Sequence, residues 1–272
     1  MRRQKLLREV ARYVAIGVIA LVFLFPLLWM GLSSIKTSLD ITDPTRLFRF
    51  TPTLDNFVRV MTEAQFGLFM MNSLVVGVAA VGLSLLLAVP AAYVMAKYGM
   101  TRSAGMLLVA RIIPGVSLLV PFYYVFAMLG WVGGYAPLII SHMFVTMPLI
   151  AWVMLSFFES LPSDLEEAGL VDGLTNIGVF ARIALPLSTP GIATASILAF
   201  IFSWNNFMFA LVLASQSTRT LPVAIFNFIA YSSVDWGGLM AASVIITLPV
   251  IVMALFTQKY IVSGLTAGAT KG

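Results

Sequence analysis

The chain has 272 residues, 60% of them hydrophobic and only 10% charged, with a mean hydropathy of +1.00. So little polar surface excludes a water-soluble domain of this size and indicates an integral membrane protein. With no cysteine, disulfides, thiol catalysis and Cys-ligated metals are excluded, and the net charge of +5 reads as loop asymmetry rather than as a nucleic-acid signal.

A membrane-spanning helix needs about 20 apolar residues. Six runs meet that length, at about 13–35, 68–96, 104–129, 135–158, 190–214 and 239–262. None shows the alternation of a membrane β-barrel. The first run follows a basic segment, 1–12, and so begins like a secretion signal. It is too long for a signal's apolar core, and no small-residue cleavage site follows it. It is expected to be a retained first span. Arg2, Arg3, Lys5, Arg8 and Arg12 precede that run, and Lys97 and Arg102 follow the second. The positive-inside rule then sets the N-terminus in the cytoplasm. Six spans return the C-terminus, with Lys259 and Lys271, to the same side. The segment 36–67 lies outside, and the segment 159–189 is the longest cytoplasmic connection.

The third run contains Pro114-Gly115, a helix break able to bend or gate. Arg111 lies just ahead of it and has three readings: snorkelling to the interface, a structural pair, or a path residue that would favour an anionic solute. Tyr123 and Tyr124 fit either a solute path or an aromatic belt. His142, in the fourth run, is the only histidine. One histidine makes no metal site, so interhelical hydrogen bonding is its expected role. The fifth run holds "FSWNNFMF", with Ser203, Trp204, Asn205 and Asn206. Amides and a flat indole at mid-depth suit a sugar path, and packing between helices is the competing account.

The connection 159–189 gathers five of the 11 acidic residues: Glu159, Asp164, Glu166, Glu167 and Asp172. Ser163 and Glu166 have capping-box spacing, so a short helix is expected from about 164 to 170. Asp172-Gly173 signals a turn, and Thr175 can cap a second helix. Pro186 and Pro190 are expected to stop that helix before the fifth span.

Glu167-Ala168-Gly169, three residues, Gly173, nine residues, then Ile183-Ala184-Leu185-Pro186 resembles the EAA signature of ABC importer permeases. Gly169 departs from it, standing where a second alanine is usual and lowering local helix propensity. "TPTLDNF" (51–57), "NSL" (72–74) and "QKYIVSGLTAGATKG" (258–272) are similar to the second permease of the carbohydrate-uptake branch. The resemblance implies an all-α integral membrane protein whose 1–272 form one transmembrane domain. It would have six transmembrane helices, cytoplasmic termini and a cytoplasmic coupling helix between helices 4 and 5. It further implies a second homologous permease subunit, a cytoplasmic ABC ATPase dimer holding ATP and Mg, and an extracytoplasmic solute-binding protein. The setting would be the cytoplasmic membrane of a bacterium or archaeon. Glu166, Glu167, Ala168, Gly169, Asp172, Gly173, Phe180, Leu185 and Pro186 would couple to the ATPase, and the fifth span would line the path.

The implied cargo is a di- or oligosaccharide, a monosaccharide or a polyol, with glycerol-phosphate or another sugar derivative as the alternative. No Walker motif is present, so ATP hydrolysis needs another chain. A secondary transporter would need buried charges for ion coupling, and Arg111 alone is available. An enzyme would need a nucleophile–base set that the spans lack.

Overall fold

A computed structural model describes residues 2–62, 65–229 and 234–269, with the side chains of 2–4, 101, 108, 110 and 257–269 outside the description. The described residues are helical and irregular, with two isolated bridges, Gly133 with Ala214 and Ile229 with Val234, in place of any strand. The helices are α1 (Arg2–Ser34), α2 (Ser38–Thr42), α3 (Asp55–Thr62), α4 (Phe66–Lys97), α5 (Thr101–Ile112), α6 (Leu119–Met128) and α7 (Tyr135–Glu159). They continue as α8 (Ser163–Val171), α9 (Asn176–Val179), α10 (Leu185–Leu187), α11 (Thr189–Trp204), α12 (Met208–Leu213), α13 (Leu221–Ala224) and α14 (Trp236–Ala269).

Among the described residues, four segments are long and apolar enough to cross a membrane: Lys5–Ser34, Phe66–Lys97, Tyr135–Glu159 and Trp236–Phe256. Asn176–Leu187 and Thr189–Trp204 meet at 71° and would make a fifth if taken as one broken span. The third run is interrupted at Pro114-Gly115, the expected helix break. It stops at Ile112, because Pro114 has no N–H to continue the ladder and holds the residue before it extended, with Ile113 at ψ 117. A 3₁₀ turn, Gly115–Leu118, then leads into α6. The fifth run is also split, ending at Trp204 and resuming at Met208. The last twelve described residues, 258–269, extend α14 in backbone, and the remainder of the C-terminal tail lies outside the described residues.

The chain forms two compact units. The first comprises 1–66 and 225–248. Among its buried polar residues is Asn56, whose amide donates to the carbonyls of Ser34 and Lys36 at 2.8 Å each and so closes the end of α1. This is the structural role of "TPTLDNF". Lys36 is buried with its ammonium over the rings of Phe50 (4.5 Å) and Trp29 (5.4 Å). Asp235, just ahead of α14, accepts from Ser38 (3.0 Å) and Gly238 N (3.1 Å) and pairs with Arg59 (3.1 Å). Burial alone would raise its carboxyl pKa, but these donors outweigh burial and hold it below the usual carboxylate range.

The second unit comprises 67–224 and 249–272. Within it α7 and α11 make the most extensive helix pair among the described residues. Ala195 and Ala199 on α11, and Ala88 and Ala92 on α4, are buried four residues apart, so that backbones approach closely as in other membrane bundles. They share a core with Ile150, Met154 and Phe158 of α7. Hydroxyl and imidazole bonds stitch the same helices. Ser84 meets Thr146 at 2.8 Å, and His142 Nδ1 meets Ser203 Oγ at 2.7 Å, the interhelical role expected for this histidine.

At the other end of α4, the Asn72 amide donates to the carbonyls of Ser217 and Arg219, at 2.9 Å each. Its oxygen accepts from Tyr135 Oη at 2.6 Å, and Ser73 Oγ accepts from Leu221 N at 2.8 Å. "NSL" is therefore a clamp on the 215–221 loop. Asn72→Leu strands three polar groups and is expected to cost about 1–3 kcal/mol for each group left buried and unpaired. A lower melting temperature in detergent and faster proteolysis at 215–221 would report it.

Candidate functional site

The acidic connection folds as a helix, a turn and a second helix. Pro162 sets the entry to α8, and Asp164 and Glu166 fall in its first turn, where the helix dipole favours acids. The expected capping box does not form: Pro162 is the N-cap and Ser163 is already helical. The helix ends in a Schellman turn, with Leu174 N donating to Gly169 O (3.0 Å) and Gly173 N to Leu170 O (3.1 Å). That turn needs a left-handed residue, and Gly173 supplies it at φ +86°. Thr175 caps α9 as expected, accepting from Gly178 N at 3.2 Å.

The second helix is not stopped by Pro186. A π-turn at Phe180–Ala184 has Leu185 N donating to Phe180 O, and the helix carries on to Leu187. Shifting the ladder by one residue accommodates a proline that cannot donate. The chain turns at Ser188 instead, and Pro190 sits in the first turn of α11, where its missing N–H is harmless.

The two faces of α8 differ. Glu166 and Gly169, three residues apart, face inward. Gly169 is buried, and a Cβ there would lie 2.5 Å from Ile183 Cδ1 and 3.3 Å from Val179 Cγ2. The glycine that departs from the motif is thus the contact point between α8 and the second helix. Glu166 Oε2 lies 3.0 Å from Lys97 Nζ and accepts from Tyr93 Oη at 3.0 Å. Lys97 also donates to Asn176 Oδ1 at 3.3 Å. Tyr93 packs its ring on Phe158 (5.4 Å) and Phe180 (4.9 Å). On the outer face Glu167, Ala168, Asp172 and Gly173 are exposed, with Val171 88% and Ile177 79% exposed among them. Leu185 is half-buried and Pro186 exposed.

The polar group of the fifth span is divided. Ser203 is turned to His142, and Trp204 is buried with its ring stacked on Phe200 at 5.7 Å. Asn205 is exposed, its amide donating to Ile201 O at 2.9 Å, while Asn206 Oδ1 accepts from Phe209 N at 3.2 Å and caps α12. Tyr123 and Tyr124 are exposed on α6. Arg111 lines a cavity of about 270 Å³ with Pro114, Gly115, Phe144, Pro148 and Phe202. It makes no ion pair among the described residues. Sequence reading missed Tyr93 and Lys97 as partners of Glu166 and Asn176 in the acidic loop. Lys97 had been read as an orientation signal alone, and nothing local ties it to a segment so far along the chain.

Residues 80–266 match the family of binding-protein-dependent transport system inner membrane components. The chain is 36% identical over 284 residues to a trehalose/maltose transport system permease protein of Thermococcus litoralis, covering 99% of each chain. It is 34% identical over 266 residues to a sulfoquinovosyl glycerol transport system permease protein of Agrobacterium fabrum, covering 96% of this chain and 93% of the relative. A trehalose transport system permease protein of Mycobacterium tuberculosis is 34% identical over 255 residues, at 92% and 93% coverage. In fold, the chain matches a chain of a bacterial ABC transporter that imports the acidic polysaccharide alginate, with a TM-score of 0.80 at 22% identity over 95% and 98% of the two chains. The fold is thus that of an ABC importer permease, and the protein is a multi-pass transport component rather than an enzyme. The chain belongs to the binding-protein-dependent transport system inner membrane components.

Proposed function

We propose that the chain is one of two homologous permease subunits of an ATP-driven importer, and that it forms half of the translocation path for a carbohydrate. Its 1–272 act as one transmembrane domain of six spans, with the termini and the 159–189 connection in the cytoplasm. The observation that carries this reading is the two-faced α8. One face is held by Gly169 against the second helix and by Glu166 against α4, while the other offers Glu167 and Val171 to a partner, with Asp172 and Ile177 exposed just beyond it. Exposed apolar side chains ringed by acids on a short helix closed by a Schellman turn suit docking into a groove. The partner is a cytoplasmic ABC ATPase dimer that holds ATP and Mg, and this chain binds no cofactor. A solute-binding protein delivers the cargo from the far side of a bacterial or archaeal cytoplasmic membrane. The named cargoes of the relatives, trehalose, maltose and sulfoquinovosyl glycerol, support a sugar or sugar derivative.

Of the fifth-span group, Asn205 is the member best suited to meet solute, since it is exposed while Ser203 and Trp204 are buried and Asn206 is half-buried. Tyr123 and Tyr124 are retained as exposed aromatic candidates. A second reading, an acidic sugar derivative, is favoured by Arg111 beside its cavity with no carboxylate partner among the described residues.

Glu167→Lys reverses charge on the outer face alone. It is expected to leave membrane insertion intact and to reduce co-purification of the ATPase and solute-stimulated ATP hydrolysis by about tenfold, the scale of a 1.4 kcal/mol contact. Wild-type hydrolysis in this variant would remove the outer face from the docking role. Gly169→Ala is expected to be nearly silent, because the Ile183 tip can swing aside. Gly169→Leu overpacks the same point by about 1–3 kcal/mol and should lower the melting temperature. Asn205→Leu is expected to slow uptake in proteoliposomes more than it alters assembly, and an unchanged uptake rate would exclude the residue from the path.

A further inference from the structure

We infer that Lys97 and Tyr93 are positioning residues that fasten α4 to the α8 helix through Glu166, so that movement of α8 is transmitted to α4. The inference rests on the importer reading above and assigns Glu166 an internal role in place of a contact with the ATPase.

Three neighbours of the α8–α10 segment respond differently if side-chain contacts are removed. α7 runs into α8 through Ser160–Pro162, and α10 runs into α11 through Ser188, so the chain itself connects both. No such connection joins α4 to α8. Near their meeting point it is held by the Lys97–Glu166 ion pair (3.0 Å), the Tyr93–Glu166 hydrogen bond (3.0 Å) and the Lys97–Asn176 hydrogen bond (3.3 Å), over the Tyr93–Phe180 ring contact (4.9 Å). Tyr93 and Lys97 stand four residues apart on one face of α4, and Lys97 Nζ donates to Tyr93 Oη at 3.2 Å, so the two grip Glu166 as a unit. The side chains of Lys97 and Glu166 are only 17% and 20% exposed, which limits competition from water and salt. Asn176 brings α9 into the same knot, so α8 and α9 pull on α4 together. Breaking the knot should free α4 while leaving the outer face of α8 and its docking residues unchanged.

The test uses the whole transporter in proteoliposomes, with its ATPase and binding protein, and measures ATPase co-purification, ATP hydrolysis and solute taken up per ATP hydrolysed. Glu166→Gln and Lys97→Met are expected to keep co-purification and hydrolysis within about twofold, while uptake per ATP falls about tenfold, within the range of coupling energies between contacting residues. The charge-swapped double variant, Lys97→Glu with Glu166→Lys, is expected to recover uptake per ATP relative to either reversed single. Unchanged uptake per ATP in the single variants overturns the inference. So does a parallel loss of hydrolysis and co-purification, which would return Glu166 to docking. A double variant no better than its singles overturns it as well. Should the wild-type chain retain no ATPase at all, the importer reading fails, and this inference with it, before any variant is read.

Discussion

Where a helix ends or breaks, carbonyl and N–H groups lose their intrahelical partners, and at several such points among the described residues this chain supplies an asparagine. Asn56 takes the carbonyls of Ser34 and Lys36 where α1 stops. Asn72 takes those of Ser217 and Arg219 in the loop after α12. Asn205 and Asn206 serve the two sides of the break between α11 and α12. An amide suits the task because it donates twice and accepts as well, with no charge to desolvate. These four asparagines therefore sit where helices end, break or meet a loop, and the interruptions are where this fold departs from a simple bundle.

The acidic loop follows a different economy of placement. Its residues are adjacent in sequence but separate in space, because a helix turns successive side chains by about 100°. Asp164 lies at the helix start, Glu166 points inward to Lys97, and Glu167 and Asp172 point outward. One short helix can thus be anchored and available at once. Gly169 adds to the anchoring, because its small size lets α8 lie against Val179 and Ile183 with room for little more than a methyl group.

Composition and run length made the all-helical membrane character legible, because a bilayer demands long apolar helices whatever the sequence detail. Pro114 also announced its break, since proline removes a donor in any context. The break after Trp204 carried no such mark. There, asparagine side chains compete with the backbone for its own hydrogen bonds, an effect that depends on neighbours. The local rule for Glu166 failed for a related reason. A capping box needs Ser163 as the N-cap, but the helix starts one residue earlier at Pro162, which has no N–H to offer, and the carboxylate bonds Lys97 and Tyr93 instead. Gly169 was legible only as a poor helix former, because its real role depends on Ile183, fourteen residues on and across a turn. Of the candidate path, residue types were readable but facing was not. Ser203 and Trp204 sit on the same helix as Asn205 and face into the bundle.

These features meet on α4. It is a single helix of 32 residues, roughly 48 Å at about 1.5 Å per residue. Asn72 and Ser73 near one end hold the 215–221 loop, and Tyr93 and Lys97 at the other hold α8 and α9. Between them the core residues Ala88 and Ala92 are small, which allows close contact without deep interlocking of side chains. Pro90 stands just before Tyr93 and deprives the Leu86 carbonyl of its intrahelical donor, so bending is easiest beside the loaded end. A displacement entering at Glu166 would therefore act first on the segment beyond Pro90. The Ser84–Thr146 bond, a turn and a half before Pro90, ties the rest of α4 to α7. On this arrangement the last two turns of α4 move with α8, while the body of the helix stays registered with α7.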